Sequence, residues 1–193
     1  MSKKMKMFIS ALTMTAITGL AACGASDDMD SHENMGEMKK MDNEMDHSEM
    51  EMSGSGEVPT GLEASENPTF EVGDTAIITA DHMEGMKDAK ATIVGAFETV
   101  AYSISYDPTN GGQRVENHKW IIHEEIQDAT DEPYKTGDEV KVKADHMKGM
   151  DGAIATIDSA EETTVYMVDF EMTTTGDKVK NHKWVTEDEL TKQ

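Results

Sequence analysis

The chain has 193 residues, with 39 acidic against 17 basic side chains, a formal net charge of −22 and only 5% aromatic residues. So acidic a surface repels nucleic acid and anionic lipid and attracts cations, which excludes a nucleic-acid-binding protein. The length left after the N-terminal segments suits one or two small domains and not a large enzyme core.

The first residues point to export. Lys3, Lys4 and Lys6 form a positive start, and Phe8 to Leu20 is a mostly apolar stretch too short to span a bilayer as a helix. It ends in Leu20-Ala21-Ala22-Cys23, the pattern of a lipobox, in which the cysteine is lipidated and becomes the mature N-terminus. Residues 1–22 are therefore expected to be a lipoprotein signal peptide, and Cys23 to carry the membrane anchor on the extracellular face of the cell membrane. Cys23 is the only cysteine, so its modification leaves no thiol for disulfides, catalysis or metal. Removing the signal raises the imbalance to 14 basic against 39 acidic residues.

Residues 23–66 read as a disordered tail. From 24 to 57 there is no Val, Ile, Leu, Phe, Tyr or Trp, so no packed core can form. Met is the one large apolar residue, at Met29, Met35, Met38, Met41, Met45, Met50 and Met52, with His32 and His47 among them. A core helix would use Leu and Ile beside Met, so the selection is for sulfur. As a flexible coil the tail would span roughly 35–40 Å and hold a folded head off the membrane.

From residue 72 the sequence repeats itself. Val72–Ile126 aligns with Thr136–Leu190 at a constant offset of 64, without a gap, and 24 of 55 positions are identical. Repeat 1 is assigned 67–130 and repeat 2 131–193. Each reads as β: short strands at Thr75–Ala80 and Glu139–Ala144, a second pair at Ala91–Val94 and Ala155–Ile157, and a third at Thr99–Tyr106 and Thr163–Phe170. Asp107 to Gly112 is a turn. A final strand at His118–Ile122 and His182–Thr186 leads into short acidic turns, and Gln127 to Lys135 links the repeats. The expected fold is mainly β, two tandem small SH3-like β-barrel repeats behind the Met/His-rich tail. Whether the repeats stand apart or join is left open by the sequence.

The chemistry lies in Met and His. Outside the cell thiols oxidise, so a soft-metal site there does better with thioether and imidazole, donors that suit copper and above all Cu(I). In the tail, His32, Met35, Met38, Met41, Met45 and His47 are the candidate ligands, gathered by a flexible backbone into weak, exchangeable sites. In the repeats the recurring pattern is Asp-His-Met-x-Gly-Met, followed by Asn-His-Lys-Trp. It makes His82, Met83, Met86 and His118 one expected set and His146, Met147, Met150 and His182 the other, with Trp120 and Trp184 close by. An indole face attracts a soft cation. Against this stands the plain alternative that the tryptophans and some methionines are core. His123 has no counterpart in repeat 2, where Glu187 stands, and reads as a surface histidine. The acidic runs read as solvated surface.

No Gly-x-Ser-x-Gly elbow, Walker loop or His-Glu-x-x-His occurs, so an enzyme is not expected. The competing reading is a non-metal interaction module in which SH3-like repeats hold cell-wall polymer or a partner protein.

The lipobox, the Met/His tail and the paired Asp-His-Met-x-Gly-Met…Asn-His-Lys-Trp motifs together resemble the YdhK/CopL-type surface lipoproteins of Gram-positive bacteria. The resemblance covers the lipobox and nearly all of residues 72–190. It implies an extracellular copper-binding lipoprotein that protects against excess copper beside copper-export systems, with a copper-export ATPase as the expected partner. Repeat 2 departs from repeat 1 at Glu171 to Gly176, which adds a thioether, Met172.

Overall fold

The computed structural model describes residues 53–193. The signal segment, Cys23 and the candidate tail ligands from His32 to His47 lie outside the described residues. Strands follow in the order β1 (Glu63–Ala64), β2 (Thr75–Ile78), β3 (Lys90–Tyr106), β4 (Val115–Ile122), β5 (Glu139–Lys141), β6 (Ile154–Glu171), β7 (Lys178–Thr186) and β8 (Leu190–Thr191). Short 3₁₀ turns at His123–Glu125 and Glu187–Glu189 end the two repeats.

The protein is mainly β, as the sequence suggests, and the two repeats share one open eight-stranded sheet. Its spine is the antiparallel pair β3–β6, in register from Ala91↔Phe170 to Tyr106↔Ala155. Two short strands per repeat were expected where one long strand runs. Gly95 and the polar stretch Asp158 to Glu162 read as breaks because neither carries the β-branched alternation of a buried strand. Gly95 and Ser159 to Glu162 are tolerated because the neighbouring long strand supplies their ladder partners, while Asp158 falls at a register shift. Register shifts fall between Ile93 and Gly95 and between Ser103 and Ile104. These are the bulges expected where a long ribbon must twist.

Outside the spine the halves exchange their edges. β8, the end of repeat 2, pairs with β2 of repeat 1. In the matching position Ile126, the end of repeat 1, bridges to Val142 of repeat 2. The cores are shared in the same way. One cluster joins Ile78, Met86 and Ile93 of repeat 1 to Tyr166, Val168 and Phe170 of repeat 2. Another joins Tyr102, Ile104 and Tyr106 to Val140, Met150 and Ile157. A third brings Trp120 and Ile122 together with Val165, Met167 and Trp184. Each large apolar side chain so buried stabilises the fold by roughly 1.5–3 kcal/mol, and every cluster draws members from both repeats.

Residues 53–66 were expected to belong to the structureless tail, yet they are bonded to the sheet. Gly54 N donates to Lys180 O at 2.8 Å, and Ser53 Oγ accepts from Lys180 N at 3.0 Å. β1 pairs with β3 at Glu63↔Glu98. Backbone groups at a sheet edge seek partners whatever the side chains are, which composition does not reveal.

Candidate metal centres

The two Asp-His-Met-x-Gly-Met segments are loops after β2 and β5. Each docks on the hairpin of the opposite repeat. Thr173 N of repeat 2 donates to Gly85 O at 2.8 Å, and Thr109 N of repeat 1 donates to Gly149 O at 2.9 Å. Gly85 and Gly149 adopt φ of 75° and 83°, open to glycine at little cost. A Cβ at Gly85 would lie 2.6 Å from Thr174 Oγ1, so the close approach also requires glycine.

This docking carries each loop histidine to the other repeat. His82 Nε2 donates to Glu189 Oε1 at 2.6 Å, and His146 Nε2 donates to Glu125 Oε1 at 2.8 Å. The side chains of both pairs are largely buried. The strand histidines come from β4 and β7. His118 and His146 have ring centroids 6.2 Å apart, and His82 and His182 hold the positions that match His146 and His118 at the offset of 64. The structure therefore sets His118 against His146, and the same arrangement at the repeat-related positions relates His82 to His182. The sequence pattern suggested grouping within each repeat, His82 with His118 and His146 with His182. Both motifs of a repeat were assumed to fold onto each other, whereas the exchanged edges bring each onto its partner repeat.

Four ring nitrogens in these pairs are buried without a hydrogen-bond partner: Nδ1 of His82 and of His146, and Nε2 of His118 and of His182. Burial lowers His118 to about 4, helped by His146 and His82 nearby. It lowers His182 to about 3, with the other three histidines adding to the shift. Both rings are therefore neutral at neutral pH, with a lone pair available. Burial alone would raise the Glu189 carboxyl. The hydrogen bonds donated by His82 and by the Trp120 N–H outweigh it, so the net shift is downward.

Among the described residues no three His, Cys, Asp or Glu side chains form a group able to hold a metal. Each centre is a pair of imidazoles, and thioethers are the further donors at hand. Met147 is exposed, and Tyr106 donates its hydroxyl to the Met147 sulfur at 3.9 Å. The Tyr106 ring in turn lies edge-on to His118, 6.3 Å between centroids. Met83 is partly buried against the first core cluster. Met86 and Met150 are fully buried among apolar residues and act as core; Met172 is likewise core. At the second centre Phe170 stands against His182 where Tyr106 stands against His118, so this ring brings no hydroxyl.

The tryptophans hold the centres from behind. Trp120 Nε1 donates to Glu189 Oε2 at 2.8 Å and Trp184 Nε1 to Glu125 Oε2 at 3.0 Å. The ring face expected to meet a soft cation is taken by lysine: Lys119 Nζ lies 4.9 Å from the Trp120 centroid and Lys183 Nζ 5.9 Å from that of Trp184. His123 is structural. Its Nε2 donates to Thr130 O at 2.7 Å and its Nδ1 faces the Tyr102 hydroxyl at 2.9 Å. In repeat 2 Glu187 takes the matching role, accepting from Tyr166 at 3.1 Å.

The residues that sequence reasoning passed over are Glu125 and Glu189, read as part of solvated acidic turns. Their signal was present, because they align with each other at the offset of 64 while the residues just before them differ.

Fold and paired sites define a tandem-repeat, all-β protein whose two halves complete each other. Residues 72–123 and 136–187 each match the DUF1541 family, described as a protein of unknown function. The chain belongs to this family. It is 53% identical over 187 residues to a Bacillus subtilis (strain 168) protein, "Uncharacterized protein YdhK", covering 96% of this chain and 88% of that one. The 2.00 Å crystal structure of the DUF1541 family protein ydhK from Bacillus subtilis subsp. subtilis str. 168 superposes with a TM-score of 0.73 at 61% identity, covering 76% of this chain and all of that one. The solution NMR structure of the ydhK C-terminal domain gives 0.62 at 62% identity, covering 64% and 94%.

Proposed function

We propose that this chain is an extracellular, membrane-anchored lipoprotein that sequesters Cu(I) and Cu(II) and contributes to copper tolerance, held at the membrane by a lipid on Cys23. The observation that supports it is the set of four buried imidazole nitrogens without hydrogen-bond partners, with His118 set against His146 and His82 related to His182 by the same repeat symmetry. A buried polar atom left unpaired is costly, and ligation of a metal removes that cost. The rings fit copper. Neutral imidazole is a ligand for both of its oxidation states, and the carboxylate behind each loop histidine is the usual outer support of a metal-bound His. Met83 and Met147 add soft donors that favour Cu(I), and the tail would add exchangeable capacity. Copper held in this way is cargo, available for hand-over to an export ATPase.

The test is titration of the mature protein with Cu(I) against a chromophoric chelator, beside a tail-deleted form and the double variant His82→Ala/His146→Ala. The repeats should withhold about one ion per histidine pair, and the double variant should release both. Copper left wholly with the chelator by every form rejects the reading. Labelling of Cys23 by palmitate in cells, lost in Cys23→Ala, tests the anchor.

A further inference from the structure

We propose that Glu125 and Glu189 are the positioning residues of the two centres, each fixing the tautomer of a loop histidine so that its metal-facing nitrogen is unprotonated. The inference rests on the copper reading above and names the residues that shape its sites.

Each carboxylate is held by three N–H groups. Oε2 of Glu125 accepts from Trp184 Nε1 at 3.0 Å and from Ile122 N at 3.2 Å, while Oε1 accepts from His146 Nε2 at 2.8 Å. Oε2 of Glu189 accepts from Trp120 Nε1 at 2.8 Å and from Thr186 N at 3.1 Å, while Oε1 accepts from His82 Nε2 at 2.6 Å. Neither indole nor backbone amide can accept, so each carboxylate has one orientation. A carboxylate in turn offers only acceptors. The proton of a neutral His146 or His82 ring must therefore sit on Nε2, which leaves Nδ1 bare. That Nδ1 is buried without a partner in both His82 and His146.

Replacing Glu by Gln keeps shape and volume and inverts this logic. The indole and backbone N–H groups both converge on one oxygen position and hold the amide oxygen there. The amide nitrogen then faces the imidazole Nε2, which must accept, and the ring proton moves to Nδ1. Metal would have to displace that proton.

The experiment is ¹⁵N NMR of the histidine rings in the metal-free full chain, followed by Cu(I) titration against a chromophoric chelator. It uses wild type, Glu125→Gln and Glu189→Gln, the second variant repeating the test at an independent centre. Wild type should show His146 and His82 as Nε2–H tautomers. Glu125→Gln should switch His146 alone to Nδ1–H and weaken one copper site by about 10- to 100-fold. Glu189→Gln should do the same to His82 and the other site. Wild-type rings protonated on Nδ1, or Gln variants with wild-type tautomer and affinity, overturn the proposal. So does a switched tautomer with unchanged affinity. Wild-type protein with the expected tautomers that leaves all copper to the chelator overturns the copper reading instead, and with it the metal role of the glutamates.

Discussion

His146 Nε2 lies 2.8 Å from Glu125 Oε1 although the loop and the turn that carry them belong to different repeats. His118 faces the same ring from repeat 1. Metal capacity should therefore divide by spatial pair and not by repeat. The double variant His82→Ala/His182→Ala should abolish one copper site and spare the other. His82→Ala/His118→Ala, confined to repeat 1, should damage both. Stepwise Cu(I) titration against a chelator separates the two, and the opposite pattern would mean that each repeat binds alone.

The strand histidines make stability depend on pH. His118 is held at about 4 and His182 at about 3 in the folded protein, chiefly by burial. Both titrate near 6.5 when unfolded. As pH falls, the unfolded chain takes up these protons first. The stability at issue is full above about pH 6.5, declines below it and is lost by the time the folded values are reached. For His118 the loss is on the order of 3 kcal/mol. Urea denaturation from pH 7 to 4 should show a shallower decline for His118→Gln than for wild type. Equal slopes would contradict the burial of that ring as a neutral group.

Much of this was legible in the residues. The duplication and the recurring histidine motifs follow from identities at the offset of 64, and the β character from the β-branched and aromatic runs. Three things were not. Strand exchange leaves no local mark, because Leu190 pairs with Ile78 through backbone groups that any sequence possesses. The division of the methionines was equally hidden. Met83 and Met86 look alike in the chain, and only the turn at Gly85 sends Met86 into the core while Met83 stays near the surface. Glu125 was lost among acidic neighbours because charge pattern reports exposure on average, and this carboxylate is buried.

Gly85 tests the docking of the histidine loop. Alanine there must adopt φ near 75° and bring its Cβ to 2.6 Å from Thr174 Oγ1 and 3.0 Å from Met172 Cβ. Gly85→Ala should cost about 2 kcal/mol or more in urea unfolding and displace His82 from Glu189. Gly73→Ala is the control for conformation alone, since its φ is 97° but nothing lies within 4 Å of the added carbon. The excess of the first loss over the second measures the contact between the repeats.

The methionines separate packing from ligation. Met86 and Met150 are fully buried in apolar clusters, so Met86→Leu and Met150→Leu preserve volume and should cost less than about 1.5 kcal/mol each. Copper affinity should be unchanged in both. Met147 is 46% exposed, and its sulfur accepts from the Tyr106 hydroxyl beside His118. Met147→Leu should leave the unfolding midpoint near that of wild type and weaken Cu(I) at the His118–His146 centre. Cu(II), which prefers nitrogen and oxygen donors, should be held almost as before. Paired titrations with the two oxidation states distinguish the cases. If Met147→Leu weakens both ions equally, the thioether acts through the position of the loop, and sulfur is not a ligand at this centre.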